Sequence, residues 1–156
     1  MLEDLSSLFA ALSSAEKTAK VLKELLKGTK GDRRALLEEL KENLTLCWLV
    51  VEQGTAPDKV IPAFKTSEYD RLNKTDFNFN SLQKKKIRRS AQLEASELAS
   101  LIGKKTADLI INIYDKIKTL KQAHDVDSTN TRIRWHLRIL NLHRRMLLLI
   151  KHLQSR

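Results

Sequence analysis

The chain of 156 residues has one cysteine, two prolines and four glycines, and no apolar run approaching the roughly 18 residues that cross a bilayer. Each shortage excludes something. A lone Cys47 can build neither a disulfide framework nor a thiolate zinc site, and it fits a reducing compartment. So few glycines and prolines argue against turn-rich sandwiches and barrels and for a small number of long helices. The longest apolar runs, Leu46–Val51 and Met146–Ile150, are far too short to span a membrane. The amino terminus opens with acidic residues rather than the positive stretch of a secretory signal, so the expected location is cytoplasmic. Neither a His-Glu-x-x-His pair nor a Gly-x-Ser-x-Gly elbow occurs. The Asp125–Asp127 stretch lacks the glycine and glutamate of a calcium loop, and Gly103–Thr106 lacks the upstream glycine of a phosphate loop. No metal and no cofactor is expected.

What is present is helical periodicity. Hydrophobic residues make up 42% of the chain, enough to bury a core, and the length suits one domain over residues 1–156. Leu5, Leu8, Leu12, Ala15, Ala19, Leu22 and Leu26 repeat by three and four, with Gly28 as a stop signal. Ser13 and Glu16 are spaced like a capping box that could divide this segment. Asp32 is a candidate cap for a second helix carrying Leu37, Leu40, Leu44, Cys47, Trp48 and Val51, with Glu38, Glu39 and Glu42 on its solvated face. Both prolines fall in 54–80, which predicts a crossing segment with a short helix near Ser67–Asn73 and aromatic anchors. A third long helix is predicted from Asn80 or Ser81 to about Ala123, bending at Gly103. A fourth is predicted over Thr131–Gln154, striped by Trp135, Ile139, Leu142, Met146, Leu149 and Leu153. The fold expected is all-α, an antiparallel bundle of four long helices plus one or two short ones. Leu147, Leu148 and Ile150 widen the last apolar stripe beyond one neighbour, which suggests a homodimer.

The net charge is +10, and it is unevenly placed. Residues 1–58 hold 8 basic and 10 acidic side chains, residues 59–126 hold 14 and 8, and residues 127–156 hold 7 and 1. Such an asymmetry points to an anionic partner. The densest run is Lys84, Lys85, Lys86, Arg88 and Arg89, a phosphate-binding composition expected here on a helix near its start. The last helix adds Arg134, Arg138 and Arg145 away from its apolar stripe, and arginine favours bidentate phosphate or carboxylate partners. The leading expectation is a non-enzymatic helical interaction module whose basic second half binds nucleic acid or an acidic partner protein.

One spacing supplies an alternative. Arg138-Ile-Leu-Asn-Leu-His143 is similar to the Arg-x4–6-His motif near the last helix of the all-helical HEPN superfamily. In that family, arginine and histidine from two protomers face each other across a dimer cleft and cleave RNA without metal. The resemblance implies that His143 handles the proton of the attacking 2′-hydroxyl while Arg138 stabilises the phosphorane. By their own spacing, His136 and His143, seven residues apart and too distant to share a metal ion, read as boundary histidines with satisfied rings. A third possibility is a helical adaptor with no nucleic-acid role, its charge serving solubility alone.

Overall fold

Apolar residues three and four apart decide which face each helix buries, and the polar residues interrupting that rhythm decide how the helices are tied together. The computed structural model describes residues 15–155, and within them five helices have eight residues or more. These are α1 (Ala15–Lys27), α2 (Gly31–Val51), α3 (Ser67–Lys74), α4 (Thr106–Val126) and α5 (Trp135–Leu153). The fold is all-α, with no strand among the described residues. Among them, too, no helix is long and apolar enough to cross a membrane. The division considered near Ser13 lies outside the described residues.

α5 packs against both α2 and α4, and α1 packs on α2. Thr106 at the start of α4 meets His152 near the end of α5 at 2.8 Å, Asn112 meets Arg145 at 3.0 Å, and His124 lies edge-on to Trp135 at 5.7 Å. The two helices therefore run in opposite directions. Their stripes of Leu109, Ile113 and Ile117, and of Ile139, Leu142, Met146 and Leu149, are fully buried, each side chain stabilising the fold by about 1.5–3 kcal/mol. Cys47 is buried among them, and burial pushes its thiol far above the ordinary range, so it is inert core.

The crossing segment settles onto this frame through side chains of α2. Glu39, expected on a solvated face, is only 4% exposed. Its carboxylate accepts from the Ser67 hydroxyl (3.2 Å) and from the backbone N–H groups of Glu68 (2.8 Å) and Tyr69 (3.2 Å). It thus caps α3 from another helix, where the positive end of the backbone dipole favours a negative charge. One turn along, Asn43 both donates to the Lys65 carbonyl and accepts from the Lys65 N–H, each at 2.8 Å. α3 itself lies where the sequence places it, one residue longer than Ser67–Asn73. Phe64, Tyr69 and Phe79 are the buried anchors, with Tyr69 stacked on Tyr114 of α4 at 4.2 Å and on Phe79 at 5.5 Å. Lys121 of α4 donates to the carbonyls of Pro62 and Phe64.

Several expectations are corrected. The long helix predicted from Asn80 to Ala123 is helical as α4 only from Thr106. Before it come a single turn at Phe79–Leu82, an extended stretch, and two short turns at Ala91–Glu94 and Glu97–Leu101. Ser90 and Ser96 cause the interruption by accepting from Leu93 N–H and Leu98 N–H, and Gly103 adopts φ +78°, a left-handed conformation that ends a helix rather than bending it. Lys84–Arg89 is therefore not helical. α5 begins at Trp135 rather than Thr131, because Asp127 and Asn130 hold the preceding turns with their side chains. Asp32 does not cap α2; Lys30 holds that position and Asp32 instead pairs with Arg71 at 3.0 Å. Met146–Ile150, the surface that suggested a dimer, is buried within one chain.

Replacing Glu39 by Gln puts an amide N–H₂ against backbone donors. The expected loss is about 1.5–3 kcal/mol, the range for a hydrogen bond to a charged group, read as a lowered urea midpoint with an unchanged slope. An unaltered midpoint would remove Glu39 from this role.

Candidate functional site

An extended strap covers one end of the α4–α5 pair. Ile87 is 3% exposed and anchors it: its N–H donates to the Lys104 carbonyl and its carbonyl accepts from Gly103 N–H, both at 2.9 Å. Gln83 ties the strap to α5 by donating to the carbonyls of His152 and Ser155, while its own carbonyl accepts from the Thr106 hydroxyl at 2.6 Å. With Ile87 turned inward, Lys84, Lys85, Lys86, Arg88 and Arg89 are left exposed. The same backbone pairing brings exposed Lys104 and Lys105 alongside. Arg89 pairs with Glu94 at 2.9 Å; the other six have no ion-pair partner among the described residues.

A groove of about 420 Å³ lies between α4 and α5, lined on one side by Asn112, Asp115, Lys116 and Thr119 and on the other by Arg138, Asn141 and Arg145. Arg138 and Arg145 are seven residues apart, two helical turns, which puts them on one side of α5. Arg145 is half-buried and held in place, its Nε donating to Asn112 Oδ1 (3.0 Å) and its terminal nitrogen to the Asn141 carbonyl (3.2 Å). Burial lowers the pKa of Arg145. Burial also lowers that of Lys116, and the Arg145 and Arg138 guanidiniums lower it further. Three cations thus share one recess, and none of them has an ion pair among the described residues.

Among the described residues, no acid of the first third forms an ion pair with these cations. Asp32 pairs with Arg71, Glu38 with Arg34 (3.7 Å) and Glu42 with Lys65 (2.7 Å), while Glu39 caps α3. Elsewhere Lys118 pairs with Asp70 and Arg144 with Glu97 (3.2 Å).

Of the basic residues singled out in the sequence, the structure groups Lys84–Arg89 on the strap and Arg138 with Arg145 in the groove. Arg134 stands apart, exposed at the position before α5. Arg138 and His143 are not brought together: five residues along a helix is about 140° around it, and His143 does not line the groove. Burial presses the His143 pKa down to about 4, with Arg144 adding to the shift. His152 is buried against Thr106, which also lowers its pKa, and His136 is exposed. Lys104, Lys105 and Lys116 escaped the sequence reading because tertiary pairing alone places them beside the others. No group of three or more metal-ligating side chains gathers among the described residues. Compared with known protein families, curated proteins and solved structures, the chain matches none.

His143 makes acid stability predictable. Above its ordinary value of 6.5 the ring is neutral in both folded and unfolded states. Between there and about 4 the unfolded chain takes up the proton first, so stability falls with pH, by about 3 kcal/mol in all. Urea midpoints measured from pH 7 to 4 are expected to drop less steeply for His143→Asn than for the wild-type chain. Parallel curves would rule out this origin.

Proposed function

We propose that this protein is a non-enzymatic helical module that binds nucleic acid through its basic second half. The observation that carries the reading is the strap: six exposed cations, Lys84, Lys85, Lys86, Arg88, Lys104 and Lys105, gathered by the Ile87 backbone pairing and left without carboxylate partners among the described residues. Ile87 pins the strap to the fold and leaves its cations clustered at the surface, which suits the charge of a phosphate backbone and gains from counterion release. An acidic protein partner fits less well. Protein interfaces are centred on aromatic or apolar anchors, and the large apolar side chains exposed among the described residues, Ile111, Val126 and Leu137, lie off the strap.

Duplex DNA and RNA binding, followed by fluorescence anisotropy between 50 and 200 mM salt, tests it. Contact with about four to five phosphates gives a slope of log affinity against log salt near −4, a loss of roughly two orders of magnitude across that range. Lys84/Lys85/Lys86→Ala is expected to flatten the slope by about 2–3. No binding at 50 mM salt, or a slope indifferent to the triple variant, rejects the proposal.

A further inference from the structure

The α4–α5 groove holds more positive charge than a backbone phosphate calls for. A phosphodiester carries one negative charge, whereas Lys116, Arg138 and Arg145, three cations against the single carboxylate of Asp115, leave two positive charges in excess on one recess of about 420 Å³. Its geometry is also unlike the strap. The strap's cations are exposed on an open surface, while the groove is walled by two helices and one of its guanidiniums is already oriented by Asn112 and Asn141. A fork fixed before the ligand arrives loses little freedom on binding. The cations repel one another, since Lys116 is pushed toward its neutral form by the two arginines as well as by burial. An anion seated between them relieves both effects.

The charge count selects the anion. A terminal phosphate monoester carries about −1.5 to −2 at neutral pH and presents three acceptor oxygens, against one charge for an internal diester. The neutral groups lining the groove, Asn112, Asn141 and Thr119, can hydrogen-bond a sugar or base beyond it. Asp115, also lining it, accepts only; it steers the phosphate toward the three cations and can take a hydrogen bond from a ribose hydroxyl or an exocyclic base amine. We infer that the groove binds the terminal phosphate monoester of a nucleoside, either at a nucleic-acid strand end or in a free nucleotide. For the strand-end source this rests on the nucleic-acid reading of the strap, which then holds the adjoining backbone.

Calorimetric titration with one short oligonucleotide, bearing a 5′-phosphate, a 3′-phosphate or no terminal phosphate, separates the possibilities, with a nucleoside monophosphate as the free arm. The expected result is about tenfold tighter binding of one end-phosphorylated form than of the unphosphorylated one. Arg138→Ala is expected to abolish that preference, whereas Lys84/Lys85/Lys86→Ala weakens all strands alike. Arg138 is exposed and without ion pairs among the described residues, so the fold tolerates its loss; Lys116→Ala is the second variant and carries the same expectation. Equal binding of all three strands overturns this inference and leaves the strap reading intact. Binding of the monophosphate alone, lost in Arg138→Ala, upholds the groove and overturns the strap. Absence of binding in every arm overturns both.

Discussion

A carboxylate in the middle of α2 organises the rest of the structure. Burying an ion is unfavourable by several kcal/mol unless its oxygens are satisfied, and Glu39 meets that demand at the amino end of α3. Asn43, one turn further, closes a two-point amide clamp on Lys65. Together they fix residues 65–69 against α2. That places Tyr69 face to face with Tyr114, at 4.2 Å and an interplanar angle of 4°, and so sets α4 relative to α2. The Tyr114 ring is fully buried, and burial together with the nearby Glu39 carboxylate raises its pKa, so the hydroxyl stays protonated. α5 then lies against both helices, and the groove between α4 and α5 inherits its shape from that chain of contacts.

The same arrangement shapes the electrostatics. Among the described residues, Asp32, Glu38 and Glu42 pair with Arg71, Arg34 and Lys65 while Glu39 caps α3, whereas most cations beyond residue 83 have no ion pair. The charge asymmetry visible along the sequence therefore persists in three dimensions instead of cancelling across the fold. Potentials of one sign over a surface raise the local concentration of a polyanion and speed its arrival.

The stripe of α5 and the position of α3 were legible because each is a matter of local spacing: Ile139, Leu142, Met146 and Leu149 repeat by three and four, and α3 lies between the two prolines and the following polar run. The strap was not legible. Its residues have no periodicity, and its conformation is held by hydrogen bonds to positions 16 to 72 residues away. Glu39 left a signal that was not used: it and Asn43 occupy stripe positions among Leu36, Leu40 and Leu44, where a polar residue must find a partner inside. Half of the groove was visible as Arg138 and Arg145 at a two-turn spacing. Lys116 was not, because nothing local links α4 to α5.

Trp135 lies edge-on to His124 at 5.7 Å, and His124 Nε2 is in turn 2.7 Å from Asp58 of the crossing segment. The indole sits three residues before Arg138 on the same helix. Indole emission responds to the polarity and contacts around the ring. With Trp48 on α2 as the second indole, the molecule consequently carries its own optical indicator, and a Trp48→Phe chain would leave Trp135 as a fluorophore that reports on its surroundings without any attached dye.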